Sequence, residues 1–447
     1  MMESHTKKAS PTQNSKKNTS TSRKDFLKKS ALGLASFSIV PRFVLGGKGY
    51  TAPSDKITIG FIGNGKQGTI LANPFIPLKE AQIVANCDID SVKRTKFKEW
   101  VETKYAEATG SESYSGVTAY HEYEEIINQE DIDAVIVCTP DHWHAIPAIA
   151  ALNAGKDLYC EKPLSLTVEE GRAMVNATRN NNRIAQTGSM QRSWENFRKA
   201  CELVRNGYLG EIKEVKVNVG DPAVAYNLPK QPIPDSLDWD QWIGPSPFVE
   251  YNNELAPPYP WNNYPMWRRY KEFAGGILCD WGAHMFDIAQ WGLGMDETGP
   301  VEFIPPTKPS ATRGLAFKYA NSIEMVHEDF GKGFAVRFIG TEGSLDISRE
   351  IFEPSNPSLL NEEIGDNKIK LYRSDNHYQD WIDAIKNRTK PVADIEIGHR
   401  TASICNIANI AYELKRPLSW NPEIEKFKND NEANSMLGRA YREGYRL

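Results

Sequence analysis

Between residues 56 and 160, short apolar runs alternate with helical stretches such as 144–154. This alternation predicts βαβ units and a parallel sheet, which binds ligands at the carboxyl ends of its strands. We therefore predict an α/β Rossmann domain over residues 54–175. Its strands are expected at Lys56–Gly63, Ala81–Cys87, Ile132–Cys138 and Asp157–Cys160.

The pattern changes after residue 176, and we predict an α+β domain over residues 176–425 with a surface tail at 426–447. An amphipathic helix (Phe197–Asn206) precedes an alternating strand (Glu211–Val219). Later strands are expected at 314–319, 322–327, 334–339 and 344–347, and later helices at 377–388 and 397–413.

Residues 221–265 are rich in Pro, Trp, Tyr and Asn and show little periodicity. A long irregular stretch inside a folded domain usually serves function. We expect this stretch either to cover a substrate cleft or to grip a neighbouring subunit. Trp267, just beyond it, is a candidate substrate contact.

The first 50 residues have the pattern of an export signal. Residues 1–22 are polar, the basic stretch Ser22–Lys28 follows, and then comes a short apolar run, Ala31–Val40. That run is too short to span a bilayer. Arg23 and Lys24 resemble a twin-arginine motif in which Lys replaces the second Arg. We therefore expect a periplasmic or otherwise exported protein.

Composition excludes several classes of function. A net charge of -5 gives no basis for binding nucleic acid. The six cysteines form no CxxC pair and no zinc-like spacing, so we expect neither a metal site nor a disulfide framework. With 40% hydrophobic and 25% charged residues, the chain is ordinary for folded domains without a membrane span.

A dinucleotide site is predicted where the first strand ends. Residues 63–68 read Gly-Asn-Gly-Lys-Gln-Gly, and glycines there allow a tight turn and close approach of the backbone to a pyrophosphate. We expect Gly63, Asn64, Gly65, Lys66 and Gln67 to contact the cofactor. Asp88 ends the second strand and can accept hydrogen bonds from ribose hydroxyls. Ile89 rather than Arg follows it, which favours NAD, with NADP as the alternative.

Candidate catalytic side chains lie in two places. Asp280 and His284 are four residues apart in a predicted helix, Leu278–Trp291, so they share one face. A nearby carboxylate can raise the pKa of a His and fix its tautomer. Lys162 follows a buried strand, where apolar walls disfavour its charge. The competing interpretations are an ordinary surface Asp–His pair and a metal site, but no third metal ligand is evident.

Several linked motifs resemble the Gfo/Idh/MocA oxidoreductases, a family named for glucose–fructose oxidoreductase and inositol dehydrogenase. The resemblance covers most of the chain after about residue 54. The motifs are the glycine loop, Cys-Thr-Pro-Asp-His-Trp-His at 138–144, Ala-Gly-Lys at 154–156, Glu-Lys-Pro at 161–163, Gly-Ser-Met-Gln-Arg at 188–192, and Gly-Gly-Ile-Leu-Cys-Asp-Trp-Gly-Ala-His at 275–284.

The resemblance implies roles for individual residues. Lys162 would lie beside the nicotinamide and the reacting hydroxyl, with Asp280 and His284 in the substrate cleft. It also implies a second domain with a large open, mostly antiparallel sheet that supports a homo-oligomer, a dimer or tetramer. The remaining implied contacts are Thr139, Pro140, His144, Glu161 and Gln191 with the cofactor, and Arg192 with the substrate.

The chain is thus expected to oxidise or reduce a hydroxyl or ketone of a sugar, glycoside or polyol with tightly bound NAD. Either His284 or Lys162 would be the final base. One alternative is an NAD-dependent glycosidase that works through transient oxidation and elimination. Another is oxidation to a keto-glycoside that a partner enzyme cleaves. The third is a non-catalytic sugar-binding protein, against which the intact Lys162, Asp280 and His284 argue.

Overall fold

A computed structural model describes residues 55–260 and 263–447 of the chain. The predicted export signal therefore lies outside the described residues. Within the described ranges, no helix is both long enough and apolar enough to cross a membrane. All six cysteines lie buried as free thiols.

The first domain is a six-stranded parallel sheet with the order β3-β2-β1-β4-β5-β6. The order reverses direction beside β1, which leaves a ligand crevice at the carboxyl ends of β1 and β4. This confirms the predicted Rossmann domain. Its strands are β1 Ile57–Ile62, β2 Ala81–Cys87, β3 Thr118–Tyr120, β4 Ala134–Val137, β5 Asp157–Cys160 and β6 Ala185–Thr187. Its helices are α1 Lys66–Ala72, α2 Ser91–Thr109, α3 Tyr123–Ile127, α4 Ala145–Asn153 and α5 Val168–Asn180.

The predicted domain boundary at residue 175 falls inside α5 and needs correction. Strand β6 pairs in parallel with β5, so the first domain continues at least to Thr187. A later helix, α9 (His377–Asn387), also returns to this domain and buries Trp381 against Phe75 and Tyr159. The short polar strand β6 carries no apolar run, which is why the hydrophobic pattern missed it.

The second domain is a nine-stranded sheet with the order β13-β12-β11-β7-β10-β9-β8-β14-β15. Among these described strands, β7 and β10 form the one parallel pair, so the predicted mostly antiparallel sheet is confirmed. The strands are β7 Ile212–Asn218, β8 Glu302–Ile304, β9 Leu315–Lys318, β10 Glu324–His327, β11 Ala335–Gly340, β12 Gly343–Ile347, β13 Phe352–Pro354, β14 Leu418–Asn421 and β15 Lys426–Phe427.

Helices cover the core side of this sheet, with Phe197 and Phe286 packed into the same apolar cluster as Phe338 of β11. Two long helices, α8 (Gly276–Leu293) and α10 (Ile395–Leu414), contact each other, and α10 also contacts α5 and β6 of the first domain. The helices after α5 are α6 Glu195–Arg205, α7 Trp239–Ile243, α8 Gly276–Leu293, α10 Ile395–Leu414 and α11 Asn431–Ser435, in addition to α9.

The irregular stretch at 221–265 has a small apolar core of its own, centred on Trp239, Trp242 and Tyr251. Its backbone reaches the first domain, where the amide of Ser91 donates to the carbonyl of Ser236. Because this contact lies directly after the end of β2, the stretch runs over the carboxyl edge of the first sheet. The covering interpretation therefore fits the structure.

The predicted surface tail at 426–447 is also corrected. Residues 426 and 427 form β15, which pairs with β14 and extends the second sheet. Further on, Arg439 donates hydrogen bonds to Glu170 and to the carbonyl of His142. This segment is therefore built into both domains, and Tyr445 packs its ring against Trp143 at 5.5 Å.

Candidate functional site

A large cavity of about 980 Å³ lies at the carboxyl edge of the parallel sheet. One wall comes from the ends of β1, β2, β4 and β5, and the other from the 221–265 stretch, α8 and the turn after β12. Predicted site residues that line it are Gly63, Gly65, Lys66, Gln67, Asp88, Thr139, Pro140, His144, Glu161, Lys162, Trp267, Asp280 and His284.

The glycine loop has the shape that its sequence predicts. Gly63 has φ +94°, and a Cβ there would lie 2.5 Å from the carbonyl oxygen of Cys138. Any side chain at this position would therefore push β1 away from β4. At Gly65, by contrast, a Cβ would meet no atom within 4 Å, because the position borders the open cavity. The loop is thus tightly packed at Gly63, against β4, and open to the cavity at Gly65.

Asp88 lies at the end of β2, where the cavity begins. Its Oδ2 accepts a hydrogen bond from the amide of Asn64 at 2.7 Å, and its Oδ1 accepts one from the amide of Asp90. Burial raises the pKa of Asp88, and the charge of Lys93 and these amide donors oppose that rise. The carboxylate therefore fixes the glycine loop and also faces the cavity.

Two predicted cofactor contacts, Asn64 and Gln191, are buried but do not line the cavity. The Oδ1 of Asn64 accepts from Asn86, while its Nδ2 has no partner. Both polar atoms of the Gln191 amide are buried without a partner. In place of Gln191, the preceding residue Met190 reaches the cavity wall.

His144 ties two cavity-lining turns together. Its Nδ1 lies 2.8 Å from the carbonyl oxygen of Pro163, and its Nε2 lies 3.0 Å from that of Thr139. Burial lowers the pKa of this imidazole to about 4, against the opposing effect of the carbonyl contacts. The neutral ring holds the end of β4 against the turn that presents Lys162.

Lys162 and Asp280 form an ion pair inside the cavity. The Lys162 Nζ donates to Asp280 Oδ1 at 2.7 Å and to the Asp280 carbonyl at 3.0 Å. The Nε of Arg268 lies 3.5 Å from the same carboxylate oxygen. Burial raises the pKa of Asp280, but the charges of Lys162 and Arg268 outweigh it and hold the pKa below its usual value.

His284 is therefore not coupled to Asp280 as the sequence suggested. The carboxylate is occupied by Lys162, and the Nδ1 of His284 has no hydrogen-bond partner. Burial, reinforced by the charges of Lys162 and Arg349, lowers the pKa of His284 well below 6.5. The expectation that a carboxylate raises this pKa is wrong, because cations rather than acids surround the ring.

Arg192 does not reach the cavity, so its predicted role in substrate binding is corrected. Its guanidinium makes two hydrogen bonds of 2.8 Å to Asp287 and further bonds to Asp296. The side chain is only 1% exposed. The motif placed Arg192 near the cleft, but Asp287, one turn after His284 on α8, and Asp296 beyond the helix bind its guanidinium instead.

The sequence assigned no role to four residues that also line the cavity: Asp141, Tyr264, Arg268 and Arg349. Burial, and then the negative charge of Asp280, raise the pKa of Asp141 well above its usual value. The Tyr264 hydroxyl lies 3.3 Å from the amide oxygen of Gln67, and its ring lies under Lys66. Arg268 stacks on Trp267 at 4.2 Å.

Asp141 belongs to the motif at 138–144, and the position after a strand end was its only sequence signal. Tyr264 lies in the 221–265 stretch, whose aromatic content marked it as functional, and Arg268 lies just beyond it. Arg349 had no signal, because its neighbours in the cavity are more than sixty residues away in the chain.

Two family models match the chain. Residues 57–189 match an oxidoreductase family model described as an NAD-binding Rossmann fold. Residues 218–447 match the C-terminal alpha/beta domain of the same oxidoreductase family. The first domain is therefore the NAD-binding domain, and the glycine loop and Asp88 lie where that function requires them.

Relatives and solved structures agree with these matches. A myo-inositol 2-dehydrogenase of Thermotoga maritima is 29% identical over 53% of this chain and 54% of its own length. The chain thus spans about half of that relative. A glycosyl hydrolase family 109 protein of Stenotrophomonas maltophilia is 25% identical over 74% of this chain and 75% of its length.

The crystal structure of a scyllo-inositol dehydrogenase from Lactobacillus casei, with bound NAD(H) and scyllo-inositol, shares the fold. Its TM-score is 0.54 and its sequence identity 18%, over 81% of this chain and 99% of that one. The matching models of both domains place the chain in the Gfo/Idh/MocA oxidoreductase family.

Proposed function

We propose that this protein oxidises a secondary hydroxyl of a sugar, glycoside or polyol, or reduces the corresponding ketone, with NAD. One observation carries the proposal. Lys162, Asp280 and His284 converge in the same cavity as the glycine loop and Asp88. Proton-handling groups thus face the space that a dinucleotide would share with a substrate.

The residues present fit the cofactor. The open space in front of Gly65 can take a pyrophosphate, and a side chain there would fill it. Asp88 would hold the adenosine ribose, and Thr139 has a buried hydroxyl without a partner beside the cavity. Tyr264 would close the loop from the opposite wall. When bound, the nicotinamide supplies the hydride acceptor for alcohol oxidation.

The contacts distinguish the roles of the two candidate bases. A Lys ammonium has three donors, and Asp280 takes up two from Lys162, so one remains for a substrate oxygen. His284 lines the cavity and burial lowers the pKa of its imidazole, so the neutral ring can accept the hydroxyl proton. We assign His284 as the base, Lys162 as the donor that orients the substrate oxygen, and Asp280 as the group that holds Lys162.

Export and assembly belong to the same proposal. A basic stretch before the apolar run at residues 31–40 supports secretion through a twin-arginine-like route. A periplasmic enzyme has no recycled NAD pool, so it would carry its cofactor, folded around it, in a closed redox cycle. The broad sheet of the second domain offers a face for a homo-dimer or tetramer.

A second candidate is a redox-neutral glycosidase that oxidises a sugar transiently and eliminates the aglycone. Two observations favour this candidate. One is the glycosyl hydrolase family 109 relative, and the other is that burial, then the charge of Asp280, raise the pKa of the Asp141 carboxyl well above its usual value. A neutral carboxyl can protonate a departing aglycone oxygen. The Lys162–Asp280 ion pair serves the oxidation step in either case.

The test is the nicotinamide absorbance of the purified protein, without added cofactor, as sugars and glycosides are titrated. We expect the reduced-nicotinamide spectrum to appear with at least one sugar class. If added NAD also yields no reduction but an aglycone is released from aryl glycosides, the glycosidase is supported. Neither reduction nor release with any sugar would overturn both enzyme proposals and favour a binding protein.

A further inference from the structure

Arg349 is a cation in the cavity that forms no salt bridge with a described residue. Burial lowers its pKa, and the charges of Tyr264 and Asp280 oppose that effect. Arg349 lies in the turn between β12 and β13, is exposed, and lines the cavity. Its guanidinium stacks over the Trp281 ring at 4.7 Å and lies 5.5 Å from the Trp194 ring. Neither ring supplies a hydrogen-bond acceptor for its five donors.

The backbone around Arg349 is held in place. The Ser348 hydroxyl accepts hydrogen bonds from the amides of Glu350 and Ile351, both at 3.1 Å. The Ser348 carbonyl accepts a further bond from the side chain of Asn196 in α6. These hydrogen bonds restrict the backbone on both sides of Arg349, so the Cα of Arg349 has a fixed position. This arrangement lowers the entropy cost of binding a ligand there.

Arg349 also lies beside the reacting groups. Trp281 follows Asp280 on α8, and its ring centroid is 5.8 Å from that of His284. The charge of Arg349 contributes to the lowered pKa of His284. A group bound by Arg349 would therefore belong to the same substrate molecule that His284 contacts.

Charge in this part of the cavity is unbalanced. Lys162, Arg268 and Arg349 are cations, whereas Asp280 is the acid already engaged by the first two. Burial raises the pKa of two further carboxyls that line the cavity, Asp141 and Glu161, and so opposes their ionisation. Asp88, Glu122 and Glu124 also line the cavity. An excess of positive charge next to a partnerless guanidinium fits an anionic ligand, for which Arg offers a bidentate fork.

We propose that Arg349 binds an anionic substituent of the sugar substrate, a carboxylate or a sulfate ester, while Trp281 packs against the sugar ring. The assignment rests on the proposed function, since it names the substrate class of that same cavity. It predicts that uronic acids or sulfated sugars, rather than neutral sugars, are preferred.

The test uses matched glycosides with the NAD-loaded protein: methyl glucoside, methyl glucuronide and methyl glucoside 6-sulfate, plus the galactose series. We expect kcat/KM for an acidic member to exceed that of its neutral partner by about 10–100-fold, the range of one charge-assisted hydrogen-bonded contact. The sulfate and carboxylate arms distinguish the two anions.

Arg349→Met should remove this preference by raising KM for the acidic sugar, so that the acid-to-neutral ratio of kcat/KM falls to about one. Arg349→Lys should restore part of it, because charge returns without the bidentate fork. Glu350→Gln, in the same turn but outside the cavity lining, should leave the ratio unchanged. An unchanged acid-to-neutral ratio in Arg349→Met would overturn the proposal, as would equal values in wild type.

Binding is read separately from turnover by the quenching of tryptophan fluorescence with each glycoside. Saturable quenching by the acidic sugar that is lost in Arg349→Met supports the anion site, even if no sugar reduces NAD. In that case the proposed oxidoreductase function, and not the anion site, would fail. Equal quenching by neutral and acidic sugars in both proteins would overturn the anion site.

Discussion

Helix α8 contributes side chains to two clusters of ion-paired residues, one that faces the cavity and one that does not. The cavity cluster consists of Lys162, Asp280 and His284, and the sealed cluster consists of Arg192, Asp287 and Asp296. In the first, the paired side chains are 15% and 14% exposed, and a His nitrogen lacks a partner. In the second, the Arg192–Asp287 pair is 1% exposed on both sides and Arg192 makes four hydrogen bonds to acids.

This difference in exposure indicates that one cluster serves catalysis and the other serves stability. Every guanidinium nitrogen of Arg192 already bonds to an acid, and removing one member of such a buried pair leaves an uncompensated charge. A pair that faces a cavity with unused donors and acceptors can bind a substrate. Changes in the cavity cluster should therefore alter rate, and changes in the sealed cluster should alter stability.

The largest expected effect is on rate. Lys162→Met should lower kcat by about 10²–10⁴-fold, the range for a positioned proton-handling group, with little change in melting temperature. The reason is that the substrate oxygen loses its donor while Arg268 still pairs with Asp280. Sugar-dependent reduction of NAD measures the rate. Lys213→Met, at a Lys side chain that is 56% exposed, is the control; a Lys162→Met rate within tenfold of wild type would contradict the assignment.

The sealed cluster should respond in stability. Arg192→Met leaves Asp287 buried without its cation, which should cost about 3–5 kcal/mol of the free energy of unfolding. Denaturant unfolding with the cofactor present measures this cost. The exposed Arg373, paired only with Asp375 at the surface, supplies the control Arg373→Met. Normal stability together with lost sugar affinity would mean that Arg192 serves the substrate after all.

The pH dependence of the rate tests the role of His284 in the cavity cluster. His284 must be neutral to accept a proton, and burial, then Lys162, Arg349 and His377, lower its pKa well below 6.5. The rate should therefore hold as pH falls through 6.5 and decline only at lower pH. Removing one cation with Arg349→Met should move this acid limb to higher pH, unlike Glu350→Gln. A wild-type midpoint at or above 6.5 would argue against His284 as the base.

The smallest effect concerns a single bond in the sealed cluster. The Thr401 hydroxyl donates to Asp287 Oδ1 at 3.1 Å. Thr401→Val keeps the shape and removes this donor, so it should cost about 1 kcal/mol of stability and leave kcat unchanged. Thr103→Val, on the exposed face of α2, should cost less. A loss of activity without a loss of stability would contradict the assignment of this cluster to stability alone.

Local patterns predicted much of this molecule. The second strand was predicted at Ala81–Cys87 and is observed there, and the helix carrying Asp280 and His284 extends beyond its prediction by only two residues at each end. These elements have strong apolar signals. The boundary at 175 failed because Ala185–Thr187 is short and polar, so pairing with its neighbour, not its sequence, makes it a strand.

The same holds for the site residues: local spacing predicts their positions, but contacts between distant parts of the chain do not follow from it. Spacing places Asp280 and His284 on one face of a helix, but it cannot reveal that Lys162, 118 residues away, takes the carboxylate. Arg192 was assigned to the substrate because its motif lies near the cleft, while its acids come from α8 and beyond. Arg349 enters the cavity through a turn whose sequence has no distinctive feature.

The return of α9 to the first domain has a consequence for biosynthesis. Trp381 fills the space between Phe75 and Tyr159, with ring centroids 5.8 and 5.7 Å away. As the ribosome makes the chain, the NAD-binding half keeps an open apolar face until residues 377–387 have emerged, almost two hundred residues after its last strand. A fragment that stops after β6 should therefore aggregate when expressed alone, and cofactor loading should wait for the full-length polypeptide.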